Sequence, residues 1–172
     1  MGAGDHVGLL MANCPEFIEC LLGLQLLGAV AVPMNARYKA QELAYVLDNA
    51  DIKWVVTHDL VSEYANFGDL LLEAVTTKAP ERLEGLVMLG NPREGFVGQS
   101  EFEASAESVP QAEMLAAHSE ISVMSPAIMM YTSGTTSKPK GVLLNQRAVM
   151  SAVNMLRLME HIQHPDVNPA KR

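Results

Sequence analysis

The feature that most restricts the fold is the opening run of short apolar segment, apolar helix, short apolar segment. Val7 to Leu10 has the length and bulk of a buried strand. Pro15 to Leu27 carries Phe17, Ile18, Leu21, Leu22, Leu24, Leu26 and Leu27, which predicts a helix covered on more than one side. Asn13 is the expected N-cap, with Pro15 in the first turn and Glu16 three residues after the cap. Gly28 is the expected stop, and Val30 to Pro33 the next strand. A connection of this length suits a parallel crossover, which is right-handed as a rule.

The alternation continues. Glu42 to Leu47 predicts a helix with Leu43, Val46 and Leu47 inward, Trp54 to Thr57 a strand, Asp69 to Thr77 a helix and Leu86 to Leu89 a strand. The fold class expected is α/β, a mostly parallel sheet flanked by helices. Asn91 to Ser125 reads as loop and solvated acidic surface, with Asn91, Pro92, Gly95 and Gly98 as breakers. Ala127 to Tyr131 and Val142 to Leu144 are two further strands. A helix from Asn145 or Gln146 to about Met159 follows, with Val149, Ala152, Val153, Leu156 and Met159 on its apolar face.

Composition removes several functions. A net charge of −8 offers no global basic field, so no nucleic-acid partner is expected. Phe17 to Val32 contains Glu19 and Gln25 and is too short to span a bilayer, and residues 1–10 lack a signal peptide's basic start, so a cytoplasmic location is expected. Cys14 and Cys20 fall on different helix faces, which predicts buried free thiols rather than a disulfide. No Cys/His spacing marks a metal site, and His161 and His164 lack a carboxylate motif beside them.

Between the last two predicted strands lies YTSGTTSKPKG, Tyr131 to Gly141. Thr132, Ser133, Thr135, Thr136 and Ser137 supply hydroxyls, and Gly134 permits a sharp turn or close approach of backbone to ligand. Lys138 and Lys140 bring positive charge around Pro139, which limits the freedom of the segment. Backbone N–H groups, hydroxyls and ammonium groups together suit phosphate oxygens. A Walker A loop ends in Gly-Lys-Ser/Thr before a helix, whereas Lys140 here precedes Gly141 and an apolar strand.

YTSGTTSKPKGV resembles the signature of the AMP-binding, adenylate-forming superfamily, with Ser137 where the commonest string has Gly. The resemblance extends from about Gly4 to Leu158. Gly28-Ala29-Val30, Pro33, Asn35, Arg37-Tyr38 and Glu42-Leu43 are similar to the acyl-CoA synthetase branch. It implies the first part of the large N-terminal domain of such enzymes, incomplete, over residues 1–160, with a polar tail over 161–172. It further implies an acid–CoA ligase, in fatty acid metabolism, acting on a small-molecule carboxylic acid with ATP, Mg2+ and coenzyme A. Thr132, Ser133, Gly134, Thr135, Thr136, Ser137, Lys138 and Lys140 would hold the ATP phosphates, and no catalytic residue is assigned. No Tyr-Gly-x-Thr-Glu or Thr-Gly-Asp segment of the family is present, so a fragment without full activity is expected. Two alternatives stay open: a non-catalytic nucleotide-binding or interaction module reusing the fold, and a fragment of a peptide-synthetase adenylation domain.

Overall fold

The structure, a computed structural model, describes residues 1–132 and 138–163, with the side chains of 160–163 left aside. The order is β1 (His6–Leu10), α1 (Pro15–Leu27), β2 (Val30–Pro33), α2 (Ala40–Asn49), β3 (Ile52–His58), α3 (Phe67–Thr77) and β4 (Gly85–Leu89). There follow β5 (Val97–Gly98), α4 (Gln99–Glu107), α5 (Gln111–Ser119), β6 (Pro126–Thr132), β7 (Lys140–Asn145) and α6 (Gln146–Gln163). The strands form one sheet in the order β5-β4-β3-β1-β2-β6-β7. Every neighbouring pair is parallel except β6 and β7, so the expected α/β sheet carries one antiparallel edge strand.

The chain steps from β1 to β2 on one side, then returns to place β3 on the other. The helices divide accordingly. Leu43, Val46 and Leu47 of α2 and Leu71 and Ala74 of α3 pack with Leu10, Val30, Val32 and Val55 on one face. Leu24 of α1 packs with Val7, Leu9, Ala31, Val56 and Val87 on the other, with Phe102 of α4 against them. Alternate residues of each strand therefore serve different cores. In β3 the alternation slips once. His6 pairs with Ile52 but Val7 with Trp54, so Lys53 is an extra residue, a bulge. It sends Ile52 and Val55 to one core and Trp54 and Val56 to the other.

Helix ends follow local chemistry. Gly28 adopts φ 78°, and the Gly28 and Ala29 N–H groups donate to Gln25 O at 3.2 Å and Leu24 O at 2.9 Å. This pair of bonds is a Schellman stop, which favours glycine in that conformation. Asn13 is not the N-cap. Pro15 takes the first helical position, so the cap falls on Cys14, which supplies no side-chain bond. Asn66 caps α3 by accepting from the Asp69 N–H at 3.0 Å. Glu42 of α2 reaches back to the Lys39 N–H at 2.9 Å. Thr57, the buried polar residue at the sheet centre, donates its hydroxyl to Leu10 O at 2.5 Å.

Three further expectations are corrected. Residues 91–125 are not all loop: β5, α4 and α5 lie there, with no buried residue in either helix. Polar composition hid the helical period, because Phe102 alone anchors α4 to the core. Helix α1 meets the sheet on one side and α5 on another, but the cover is incomplete: Leu24 is buried while Ile18, Leu22 and Leu26 are more than half exposed. The thiols of Cys14 and Cys20 are free as expected but only half-buried, and burial pushes Cys20 up to about 11.

Trp54 lies over Gly85, its partner across β3 and β4, and its indole N–H donates to Glu84 at 3.1 Å. A Cβ at Gly85 would sit 2.4 Å from the ring. Gly85→Ala should therefore lower stability by about 1–3 kcal/mol, a cost typical of overpacking. Because Trp54 is the chain's single tryptophan, its fluorescence should shift to the red with the same substitution. An unchanged denaturation midpoint and emission would contradict this packing.

Candidate functional site

The sequence singled out the segment between β6 and β7, and the fold places the strand ends on either side of it, Thr132 and Lys140, at a definite edge. β6 runs parallel to β2, so Thr132 ends at the carboxyl edge of the parallel strands. Ligands of open α/β sheets collect at that edge. β7 then returns antiparallel, with Tyr131 opposite Gly141 and Thr132 opposite Lys140. Thr132 and Lys140 are thus the last rung, both exposed, on one side of the sheet.

Of the eight residues expected to hold phosphate, Thr132, Lys138 and Lys140 lie among the described residues. Ser133, Gly134, Thr135, Thr136 and Ser137 lie outside them. Thr132 and Lys140 come together by strand pairing. Lys138 does not join them. Its ammonium sits 5.1 Å from the centre of the Tyr45 ring on α2, a cation–π contact. Tyr131 packs towards α2, so by alternation Thr132 and Lys140 face the opposite side. The two lysines, equivalent in the sequence, are in different surroundings.

Helix α2 holds both arms of the hairpin. The Tyr45 hydroxyl donates to Pro139 O at 3.3 Å, and the Tyr131 hydroxyl donates to Asn49 Oδ1 at 2.8 Å. Tyr45 and Asn49 are four residues apart and share one helix face. Sequence reasoning missed both. The only signal was that spacing, and nothing local tied it to residues some ninety positions away. Gly141 has a steric role as well: a Cβ there would come 3.1 Å from Met129 Sδ and 3.3 Å from Tyr131 Cζ.

Burial pushes the Tyr131 phenol up to about 12, and Tyr45, Tyr38 and Asp51 nearby add to the shift. The phenol therefore stays protonated, and donating to Asn49, through neutral pH. Among the described residues no group of three or more His, Cys, Asp or Glu forms a metal site, and no helix is long and apolar enough to cross a membrane.

The comparisons with known proteins fit this geometry. The family model described as AMP-binding enzyme matches residues 1–171. Crotonobetaine/carnitine–CoA ligase of Proteus mirabilis (strain HI4320) is 35% identical over 141 residues, 82% of this chain and 26% of that protein. The ligase of the same description from Salmonella enteritidis PT4 (strain P125109) is also 35% identical over the same shares. Among solved structures, Mycobacterium tuberculosis fatty acyl CoA synthetase superposes with a TM-score of 0.63 at 26% identity, covering 87% of this chain and 26% of that one. A long-chain-fatty-acid CoA ligase described as putative, from Rhodopseudomonas palustris CGA009, gives a TM-score of 0.70 at 22% identity, over 91% of this chain and 35% of that one, a likeness of fold. The chain belongs to the AMP-binding enzyme family, whose relatives here are acyl-CoA ligases. It spans about a quarter of the length of the curated relatives it matches.

The phenol's linkage gives a direct test. A phenol raised in the folded state contributes stability that is complete below the unfolded value, near pH 10, and lost as pH rises towards about 12. Alkaline titration should show a tyrosine that ionises only near pH 12, and falling stability in that window. Tyr131→Phe should remove the late phenol and lessen the fall, to which the raised Cys20 and Tyr38 still contribute; a Phe variant that still shows the late phenol would assign it elsewhere.

Proposed function

We propose that this chain supplies the phosphate-gripping segment of an ATP-dependent acid–CoA ligase. The observation that carries it is the pairing of Thr132 with Lys140 at the mouth of YTSGTTSKPKG, on the carboxyl edge of the sheet, in a chain of the AMP-binding enzyme family. In the proposed reaction a carboxylate oxygen of the acid attacks the α-phosphorus of ATP. The bond to the bridging oxygen breaks, and pyrophosphate leaves with the electron pair. The coenzyme A thiol then opens the acyl adenylate, giving thioester and AMP. Thr132 and Lys140 would act on the pyrophosphate, the hydroxyl donating and the ammonium countering charge that grows on the leaving group. Ser133, Gly134, Thr135, Thr136 and Ser137 would complete this grip, with Lys138 beside them. Mg2+ would offset further phosphate charge, while the Thr and Lys donors here suit the phosphate oxygens themselves.

Exposed apolar surface supports a segment that works inside a larger body. Val153, Leu156 and Met159 of α6, and Val142 and Leu143 of the edge strand β7, are between 45% and 67% exposed. Apolar residues gathered on an open sheet edge and one helix face mark surface that other protein covers. The same surface would serve the alternative of a non-catalytic interaction module.

Two measurements test the reading. The isolated 172-residue chain should show little or no carboxylate-dependent ATP–pyrophosphate exchange, because one phosphate grip is only part of an adenylation site; robust exchange would overturn the fragment reading. In an enzyme completed with the relatives' remaining regions, Lys140→Ala should slow adenylation by roughly 10- to 150-fold, the worth of a hydrogen bond to a charged group. Carboxylate affinity should change far less. Equal losses in both would remove Lys140 from the phosphates.

A further inference from the structure

The two lysines of the loop differ in what they meet: Lys138 lies against helix α2 and Lys140 pairs with Thr132, and the contacts from α2 fall on one face of that helix. Tyr45 takes the returning arm, through its hydroxyl to Pro139 O at 3.3 Å and its ring under the Lys138 ammonium at 5.1 Å. One turn later, Asn49 takes the outgoing arm by accepting the Tyr131 hydroxyl at 2.8 Å. Leu43, Val46 and Leu47 of the same helix are fully buried in the core, so this face is mounted on a rigid support. A loop that wraps an anion loses affinity when its ends are free to move, because ordering must then be paid at binding.

We infer that Tyr45 and Asn49 are positioning residues for the phosphate-binding loop, and that Lys138 serves as part of this anchor while Lys140 meets the ligand. The inference rests on the phosphate reading of the loop and adds to it a division of labour. Tyr45 fixes where the chain turns back towards Lys140; Asn49 fixes where it leaves Thr132. Neither touches the phosphates. Lys138 spends its charge on the Tyr45 ring, so its removal weakens the grip through geometry rather than through a lost ligand.

The test uses the full chain with inorganic pyrophosphate as probe, titrated by calorimetry at two salt concentrations. Amide hydrogen exchange at Thr132, Lys138 and Gly141 is followed without ligand. Tyr45→Phe keeps the ring and loses the hydroxyl; Asn49→Ala loses the acceptor. Each should weaken pyrophosphate binding roughly 2- to 12-fold, the range for one neutral hydrogen bond. Each should also speed exchange at the three amides more than at the core strands, and lower the thermal midpoint of the chain by no more than the loss of one hydrogen bond accounts for. Tyr45→Leu should weaken binding further than Tyr45→Phe, since only Phe retains the face for Lys138. Lys140→Met should reduce the salt dependence of binding, while Lys138→Met should leave it intact. Variants that bind pyrophosphate as tightly as the parent overturn the inference alone, as does a Lys138→Met variant that flattens the salt dependence. A parent chain that does not bind pyrophosphate overturns the phosphate reading and this inference with it, whatever the exchange rates show.

Discussion

Burial of β1 on both of its faces is the constraint from which the rest follows. His6–Leu10 lies between β2 and β3, and its residues alternate between two cores, Val7 and Leu9 to one and Leu10 to the other. A parallel strand in that position needs helices on both faces, because each face would otherwise meet water with apolar side chains. The reversal after β2 of the direction in which strands are added to the sheet provides them. α1 lies on one face and α2 with α3 on the other, and the bulge at Lys53 brings β3 into phase with both cores.

That layering decides where the loop can be held. α2 is fixed by Leu43, Val46 and Leu47, which leaves Tyr45 and Asn49 at the rim of the sheet, where β6 and β7 pass. The hairpin lies at the edge of the sheet and most of β7 is exposed, so its stiffness depends on a few specific contacts. Tyr131 over Gly141, Tyr45 on Pro139 and Asn49 on Tyr131 are those contacts. A net charge of −8 does not conflict with the proposed phosphate site, because recognition of an anion is set by the local donors and not by the sum of charges.

Much of the fold was legible in the sequence wherever apolar residues kept a period. α1 runs over Pro15–Leu27 and β2 over Val30–Pro33, as the pattern predicts, because Pro15 and Gly28 act through backbone geometry that no distant residue alters. The reading failed where local signals were weak or shared. Asn13 lost the cap to Cys14 because Pro15 set the register. α4 and α5 passed for loop because their stability comes from what they lean on. The apolar character of α1 overstated its covering, since hydrophobicity shows what a face requires and not what lies against it.

For the site, the sequence by itself determined the chemical kind: hydroxyls, two ammonium groups, a glycine and a proline in an order that suits phosphate. It also determined the strands on either side, because Ala127 to Tyr131 and Val142 to Leu144 are apolar runs, which β6 and β7 extend by one or two residues at each end. Only the tertiary structure decided that Lys138 and Lys140 differ in surroundings, and that Tyr45 and Asn49 hold the two arms of the hairpin. The reason is physical. Which donors a short segment carries is fixed by covalent order, but which of them remain available to a ligand depends on what the fold brings against them from elsewhere in the chain.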